Sequence, residues 1–267
     1  WTAGEQGEKI SLYAGFNEVD EANFIVEQIQ QAPEDVAKSD CAILYRSNAQ
    51  SRVLEDSLLR AGVPYRVYGG HRFYERLEIK NALSYLRLLN NPHDDIAFER
   101  VINTPTRGIG AKSVENLRLF AREHGSSLWQ SANVMTEKKL LPARAASNIA
   151  NFLQLLADLT EGTTELPLHE QVDHIIEASG LLEFHRNEKG EKGQARVENL
   201  QELVVATRAF AWDEDENGTP LQQFLDTAAL DAGDAQADEF EDQFTIKYEG
   251  KDAVRYLGEV DQLLTHL

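Results

Sequence analysis

The sequence predicts two parts, an α/β unit with a parallel sheet and a mostly α-helical domain inserted into it. Short apolar runs of strand character alternate with helix-like segments up to about residue 75. Beyond that point apolar residues repeat at helical spacing without a strand pattern between them. With 267 residues, 42% of them hydrophobic, the chain is long enough to bury one large core or two modest ones.

The α/β unit contains three predicted strands: Lys9–Tyr13, Cys41–Tyr45 and Tyr65–Tyr68. Asn17 is placed to cap the helix after the first strand. The second strand is apolar throughout, which is typical of strands buried in a parallel sheet. A second helix runs from about Ala49 to Gly62. Because ligands bind near the carboxyl ends of such strands, the loop at residues 46–52 is a candidate site.

The helical domain is predicted from apolar positions at helical spacing, around Ile79–Leu86, Phe98, Leu117, Leu153–Leu159, Val172–Ile176 and Leu200–Val204. Residues 103–110 and 187–193 are rich in turn formers, and the second stretch predicts a mobile loop. Near the other end of the chain, alternating Phe244, Ile246 and Tyr248 predict a strand that completes the sheet. The predicted boundaries are therefore 1–75 with 241–267 for the α/β unit, and 76–240 for the helical domain.

Composition excludes several classes of protein. The single cysteine, Cys41, allows no internal disulfide, and no run approaches the roughly 20 apolar residues of a membrane helix. The opening residues lack a secretory signal pattern, which favours a cytoplasmic protein, and they resemble an internal start rather than a natural one. The seven histidines show no metal-ligand spacing with Cys41, so no metal site is expected.

The charge is unevenly distributed. The net charge of −19 opposes binding to a polyanion when the chain is taken as a whole. Residues 44–122, however, hold 13 Lys and Arg against 8 Asp and Glu, while the remainder holds 13 against 37. This distribution favours a basic surface that binds nucleic acid, and the alternative is that helices often carry basic faces.

The run Thr106-Arg107-Gly108-Ile109-Gly110 forms a predicted anion-binding corner. Two glycines around one apolar residue permit a tight turn, and the helix beginning near Lys112 would point unpaired amides outward. Such a helix start suits phosphate. Arg107 and Lys112 would then place one positive charge on each side of the corner. The alternative interpretation is an ordinary tight turn.

Four runs, in the same order, resemble successive motifs of the UvrD/Rep/PcrA family of superfamily 1 DNA helicases. They lie at Ala42–Arg52, at Tyr65–Gly70 leading to Phe73–Arg76 and Glu78–Lys80, at Tyr85–Arg87 and at Asn103–Gly110. The resemblance continues through 188–194 and 198–203 and covers about residues 1–240. It implies part of the RecA-like domain called 2A, into which the helical domain 2B is inserted, with a helix-hairpin-helix-like Gly-Ile-Gly element in 2B.

The complete enzymes of that family use ATP and Mg²⁺ to move 3′ to 5′ along single-stranded DNA, but this chain lacks the corresponding motor residues. A phosphate-binding loop requires G-x-x-x-x-G-K-[ST], and the nearest approach is Gly110-Ala-Lys-Ser113. No apolar strand ends in the paired acids that hold magnesium. We therefore expect no catalytic residue, no cofactor and no motor activity in these residues alone.

The end of the chain departs from the family pattern. Where the resemblance predicts a Thr-Leu-His-Ser-Ala-Lys-Gly-type motif, the sequence instead reads Phe244-Thr-Ile-Lys-Tyr-Glu-Gly-Lys-Asp252. Without that motif the ATP and translocation sites of the family are not completed. A naturally shortened relative and an engineered chain both fit this tail.

The resemblance implies two DNA-binding surfaces. In 2A, Asn48 and Arg52 match residues that contact single-stranded DNA, and Ser47 and Gln50 are weaker candidates. In 2B, duplex phosphates would be held by Thr106, Arg107, Gly108, Ile109, Gly110 and Lys112. The alternative for the first set is helix capping and ordinary surface polarity.

The resulting hypothesis is a DNA-binding and regulatory part of an ATP-dependent UvrD-type helicase of DNA repair or replication. Its expected partners are DNA at a junction of duplex and single strand, and repair proteins, with no membrane contact and a cytoplasmic, nucleoid-associated location. The alternative is a protein-interaction or autoinhibitory module that binds no DNA itself. The acidic surface after Asp213 would then suit a basic partner.

Overall fold

The chain divides into two compact units, Trp1–Arg72 with Ala237–Leu267, and Phe73–Gln236. We describe a computed structural model, which covers residues 10–33, 36–68, 71–215, 217–233 and 244–248. The described part is mostly helical, with few strands.

The described part of the first unit contains two α-helices and a three-stranded sheet: α1 (Glu18–Gln30), β1 (Ala42–Tyr45), α2 (Ser51–Arg60), β2 (Tyr65–Tyr68) and β3 (Phe244–Tyr248). The strand order is β1-β3-β2, and both pairings are parallel. The predicted strand near the end of the chain is confirmed, and it lies at the centre of the sheet, with Ile246 opposite both Ile43 and Val67. A strand from a distant part of the sequence thus joins the other two.

The first helix starts where the sequence predicts. The side chain of Asn17 accepts a hydrogen bond from the amide of Asp20 at 2.8 Å, which satisfies one of the free amides of the first turn. Ala22, Val26 and Ile29 of α1 are buried against the apolar side chains of the sheet and α2. This packing provides the core of the unit.

The prediction of a first strand at Lys9–Tyr13 was wrong. Residues 10–13 form no strand, Lys9 lies outside the described residues, and Ile10 and Leu12 are almost fully exposed. An apolar alternation gives strand propensity, but a strand persists only where a neighbour supplies hydrogen bonds and packing. Tyr13 instead stacks on Phe24 of α1, with ring centroids 3.8 Å apart.

The strand β1 is present, but it is not buried on both faces as the sequence predicted. Ile43 and Tyr45 are buried, whereas the side chain of Leu44 is 61% exposed. The sequence alone does not show which faces of a strand are covered, because covering depends on the neighbouring elements.

The second unit contains nine α-helices in its described part: α3 (Leu77–Asn90), α4 (Asp95–Val101), α5 (Ala111–His124), α6 (Leu128–Glu137), α7 (Ala143–Thr163), α8 (Leu168–Ala178), α9 (Leu181–Arg186), α10 (Glu191–Ala209) and α11 (Pro220–Gly233). One apolar core joins them, and the predicted apolar positions are confirmed within it, among them Ile79, Phe98, Leu117, Val172 and Leu200. In the described residues no helix is long and apolar enough to cross a membrane.

The predicted mobile loop at 187–193 is shorter than expected, because α10 already begins at Glu191. Gly193 lies inside this helix and is buried. A Cβ at Gly193 would lie 2.6 Å from the carbonyl oxygen of Glu188 and 2.7 Å from that of His185. This glycine permits a close approach of the backbone rather than loop mobility.

A buried polar cluster ties the start of α3 to α10. Asn199 donates to Glu78 at 2.6 Å and accepts from Arg76 at 2.9 Å. All three side chains are less than a tenth exposed. Because unpaired polar groups are costly in a core, this arrangement fixes the packing of α10 against α3.

Candidate functional site

The predicted anion-binding corner lies in the loop between α4 and α5. Gly108 has φ of +73°, a left-handed conformation that favours glycine. Gly110 is extended and is the residue immediately before α5. The loop therefore ends at the N-terminus of α5, a helix of 14 residues.

Three side chains hold this loop in place. The Oδ1 atom of Asn103 accepts from the amide of Arg107 at 2.8 Å and from that of Ile109 at 3.1 Å. Ile109 is 2% exposed and inserts into the apolar core. From α7, the side chain of Asn148 donates to the carbonyl oxygen of Gly108 at 3.1 Å. The corner is consequently anchored on both sides.

Four backbone amides remain available at this corner. Within the described part of the chain, the amides of Gly108, Gly110, Ala111 and Lys112 donate to no protein acceptor, whereas that of Ser113 donates to the carbonyl of Gly110. The Lys112 side chain is exposed, and the first turn of α5 carries no acidic residue. Free amides, a helix N-terminus and one cation together favour an anion.

Arg107 does not flank the corner as the sequence suggested. One terminal nitrogen of its guanidinium donates to the carbonyl oxygens of Val101 at 3.0 Å and Pro105 at 3.1 Å. The other donates to the Tyr85 hydroxyl at 2.6 Å and to the carbonyl of Ser179 at 3.0 Å. The expectation of a charge on each side of the corner is corrected, because this guanidinium is turned inward and joins α3, α4 and the turn after α8.

Tyr85 is the buried partner of that guanidinium. Its hydroxyl donates to the carbonyl oxygen of Thr104 at 2.6 Å and accepts from Arg107. Burial raises the pKa of Tyr85 to about 12, although the charge of Arg107 opposes the shift. The phenol thus remains neutral and acts as a hydrogen-bonding bridge.

The second predicted surface follows β1, and its side chains have intramolecular roles. Gln50 accepts from the amides of Arg46 at 3.1 Å and Ser47 at 3.0 Å, which closes the turn before α2. Arg52 is 6% exposed and donates to the carboxylate of Asp56 at 2.6 Å. Burial raises the pKa of Asp56, while Arg52 and Arg60 oppose the shift.

The structure therefore brings Ser47 and Gln50 together in one turn and buries Arg52 below it. The side chain of Asn48 lies outside the described residues. The exposed cation of this turn is Arg46, which the sequence pattern did not single out. Its position directly after the strand was the available signal, because parallel sheets bind ligands at that edge.

The sequence analysis did not identify two further residues near the corner, Asn103 and Arg144, as part of the candidate site. Asn103 organises the loop through its side chain, and an asparagine after a helix is a known turn former. Arg144 is exposed and lies one helical turn before Asn148, the residue that holds Gly108. Because residues four apart share a helix face, Arg144 adds a positive charge on the face of α7 that contacts the corner. In the described residues no group of three or more His, Cys, Asp or Glu side chains is arranged to hold a metal ion.

Comparison with known proteins matches residues 1–247 to the family model described as the UvrD-like helicase C-terminal domain. The chain is 54% identical to DNA helicase II of Escherichia coli over 244 residues, which is 91% of this chain and 34% of that protein. It is 38% identical to the ATP-dependent DNA helicase PcrA of Bacillus subtilis over 256 residues, 95% of this chain and 34% of that protein. The chain thus spans about a third of the length of these relatives.

Proposed function

This chain belongs to the family of UvrD-like helicase C-terminal domains, and on that premise we propose that its helical unit grips the phosphate backbone of duplex DNA. In this proposal the helical unit corresponds to domain 2B and the α/β unit to part of the RecA-like domain 2A. The role is DNA binding and regulation within an ATP-dependent helicase of repair or replication.

The observation that carries the proposal is the set of four available amides at the N-terminus of α5, with Lys112 exposed beside them. Amides and a cation at a helix start bind phosphate oxygens without reading bases. The grip would therefore be independent of DNA sequence. Thr106, exposed on the same loop, is a further hydroxyl donor for a phosphate oxygen.

Arg107 has a positioning role in this proposal. Its guanidinium donates hydrogen bonds to oxygen atoms of Val101, Pro105, Tyr85 and Ser179. In this proposal the phosphate is therefore contacted by Lys112 and the backbone amides. Gly108 and Gly110 shape the turn, and Ile109 anchors it in the core. A rigid loop loses less entropy on binding than a mobile one, which favours affinity.

Binding by this chain alone should be weak and strongly dependent on salt. The net charge of −19 repels a polyanion, and only a few phosphates are contacted. The logarithm of the affinity falls linearly with the logarithm of the salt concentration, and each phosphate contact that is lost makes this slope less steep by about 0.9.

We further propose that the turn after β1 contacts single-stranded DNA. Ser47 and the exposed Arg46 would face the strand, together with Asn48, while Gln50 and the buried Arg52 would hold the turn in shape. This assigns Arg52 a supporting role instead of the direct contact that the resemblance implies. DNA at a junction of duplex and single strand would then engage both units.

The ATP-dependent 3′ to 5′ helicase activity, with ATP and Mg²⁺, is proposed for the complete protein and not for these residues. The chain contains no phosphate-binding loop, so we expect DNA binding without ATP hydrolysis. The proposed location is cytoplasmic and nucleoid-associated, and repair proteins are proposed partners.

The proposal is tested by fluorescence anisotropy with a duplex that carries a 3′ single-stranded tail, at a low and a moderate salt concentration. Lys112→Ala should weaken binding and reduce the salt slope by about 0.9. Lys192→Ala is the matched control, because Lys192 is also an exposed lysine in the first turn of a helix. Equal binding by the two variants, or no duplex binding at low salt, would contradict the proposal.

A further inference from the structure

A groove of about 660 Å³ lies between α6 and α7 of the helical unit, with the end of α3 beside it. On α6 its lining runs from Trp129 to Glu137, and on α7 it runs from Ala150 to Glu161. In both helices the lining residues recur at helical spacing, so each helix contributes one stripe of its surface. None of them belongs to the corner proposed to bind phosphate, and the groove therefore needs its own explanation.

The surface of this groove is mainly apolar. Leu88 and Leu156 are buried in the core and form its floor, and the half-buried Trp129 and Leu153 pack against the same core from its edge. Ala157 is exposed, and its short side chain leaves the α7 wall open to solvent. An exposed apolar surface with a polar rim is typical of a site that contacts another molecule.

The polar side chains of the lining offer few hydrogen bonds to a ligand. Asn133 and Thr160 donate to carbonyl oxygens of their own helices, at 2.9 and 2.8 Å, and Gln154 donates to Asp158 at 2.8 Å. The hydroxyl oxygen of Thr136 is too deeply buried for a ligand to reach it. The walls are helices, so their backbone groups are already paired. An occupant must therefore satisfy its own backbone, which favours a helix over an extended peptide.

Two carboxylates lie at the ends of the groove. Glu137 is the last residue of α6, and Glu161 lies in the last turn of α7. Because a short connection joins α6 to α7, the two helices form an antiparallel hairpin and their last turns lie at opposite ends of the groove. Both side chains are exposed, and within the described part of the chain neither has a hydrogen bond or an ion pair.

The negative charge of the groove is local. Among the described residues its lining contains these two carboxylates and no Lys or Arg. Outside the lining, Lys138 and Lys139 follow α6. Asp158 and Glu165, which lie on and after α7, balance those two lysines. The last carbonyl groups of both helices add negative potential at the same two ends. Positive groups are therefore favoured at the ends of the groove, and apolar groups between them.

We propose that this groove binds an amphipathic helix of a partner protein, with a lysine or arginine at each end of the apolar stripe of that helix. The wall from Ala150 to Glu161 is about 16 Å long at the rise of an α-helix. A helix of about three turns matches this length and presents apolar anchors at i, i+3, i+4 and i+7. Its terminal cations then lie beside Glu137 and Glu161.

The test is a titration of the full chain with a fluorescently labelled peptide, acetyl-KQLAQLLQALQQK-amide, followed by fluorescence anisotropy. The leucines of this peptide share one helix face, and its lysines lie at the two ends. Saturable binding below about 1 mM is expected, and a peptide of the same composition with dispersed leucines should bind at least about tenfold more weakly. Equal binding of the two peptides, or no binding up to about 1 mM, would overturn the proposal.

Two matched substitutions on α7 test where the peptide binds. Ala157→Arg places a long cationic side chain in the groove and should weaken binding at least about tenfold. Asn151→Arg adds the same side chain at an exposed position outside the lining and should leave the affinity within about twofold. Similar affinities of the two variants would show that the peptide binds elsewhere.

Tryptophan emission gives a second measure of the position. The peptide contains no aromatic residue, so any change in emission on binding comes from the chain. Trp129 lines the groove, and the change should disappear in Trp129→Phe while the peptide still binds. An unaltered change in that variant would contradict the assignment.

Charge is tested by two double substitutions. Glu137→Gln with Glu161→Gln removes both carboxylates of the groove and should weaken binding about threefold or more. Glu123→Gln with Glu177→Gln removes the same charge at exposed positions outside the lining and is the matched control. A loss of equal size in both double variants would show that only the net charge of the chain attracts the peptide.

A second copy of the chain is the competing occupant. Sedimentation of the chain without peptide measures self-association, and an association abolished by Ala157→Arg but not by Asn151→Arg would overturn the proposal. The groove is independent of the proposed DNA grip, so these two variants should bind duplex DNA alike. A chain that binds the peptide but no duplex would support the groove and contradict the grip, and the reverse result would do the opposite.

Discussion

The guanidinium of Arg107 donates to the hydroxyl of Tyr85 across 2.6 Å, and this contact joins the predicted anion-binding corner to the core of the helical unit. The same guanidinium lies over the rings of Tyr85 and Phe152, at 5.8 and 5.3 Å from their centroids. A residue that the sequence presents as a surface cation thus helps to fix the shape of the corner, together with Asn103, Ile109 and Asn148.

Replacing this guanidinium should destabilise the protein. Arg107→Lys keeps the charge but cannot reach four oxygens with one ammonium group, so the free energy of unfolding should fall by about 2–3 kcal/mol. Urea denaturation measures the loss. Lys112→Arg, an exposed change at the same corner, is the control and should stay within about 0.5 kcal/mol. An Arg107→Lys variant as stable as the control would show that the inward contacts contribute little.

The two glycines of the corner should respond differently to alanine. Gly108→Ala places a side chain at φ of +73° and puts Cβ 2.9 Å from the Asn148 amide nitrogen, so a loss of about 1–2 kcal/mol is expected. Gly110 is extended, and no atom lies within 4 Å of the position that a Cβ would take, so Gly110→Ala should leave thermal stability unchanged.

Duplex binding should separate these variants further. A Cβ at Gly110 would occupy the open side of the corner where a phosphate approaches, so Gly110→Ala should weaken duplex binding although the fold is intact. Anisotropy at low salt measures this effect. If the Gly110→Ala variant binds duplex DNA as tightly as the unsubstituted chain, the phosphate does not bind beside Gly110.

Ile109 should matter for stability through its burial. Ile109→Ala removes a side chain that is 2% exposed, so we expect a loss of about 2–4 kcal/mol from the missing contacts and the cavity left behind. Ile96→Ala is the matched control, because Ile96 is 75% exposed and its truncation should cost less than about 0.5 kcal/mol. Similar melting temperatures for both variants would contradict the anchoring role.

His185 should make the protein less stable in acid. Burial lowers the pKa of His185 from its ordinary 6.5, although hydrogen bonding to Glu188 opposes the shift. Below pH 6.5 the unfolded chain therefore binds a proton that the folded chain excludes, and the free energy of unfolding falls until the pH passes the folded pKa. Above pH 6.5 His185 is neutral in both the folded and the unfolded chain, so burial of the neutral imidazole causes no loss of stability there.

The measurement compares the unsubstituted chain with His185→Gln by urea denaturation between about pH 8 and pH 5. The stability advantage of the unsubstituted chain should shrink as the pH falls through the His185 window. The charged neighbours Glu188, Arg196 and Glu78 are present in both proteins and cancel to first order. A difference that stays constant over this range would show that His185 titrates alike in both states.

Much of the helical unit was predictable from the chain, because its helices are amphipathic. Apolar spacing located the buried positions Ile79, Phe98 and Leu117, and turn residues located the loop before α5. Both signals are local. The strand at residues 10–13 failed for the complementary reason, since a strand needs neighbours that the local sequence does not specify.

The candidate site was only partly predictable. Its position at 106–112 came from the glycines and the motif order, but the direction of the Arg107 side chain did not. Acceptors contributed by Val101, Pro105, Tyr85 and Ser179 turn it inward, and the last two are distant from it in sequence. The pairing of Arg52 with Asp56 is local, because the two residues are four apart on α2, but the burial of Arg52 depends on what packs against that helix.

The sequence by itself determined the family, the helical periodicity, the glycine corner and the strand at Phe244–Tyr248, because each depends on residue order or local spacing. Only the tertiary structure decided which charges reach solvent. Lys112 is exposed, whereas Arg107 is only partly exposed and donates to oxygens from α3, α4, its own loop and the turn after α8. The physical reason is that folding brings together groups that are distant in sequence, and these groups set the environment of a side chain. The local sequence does not show which of them will be in contact.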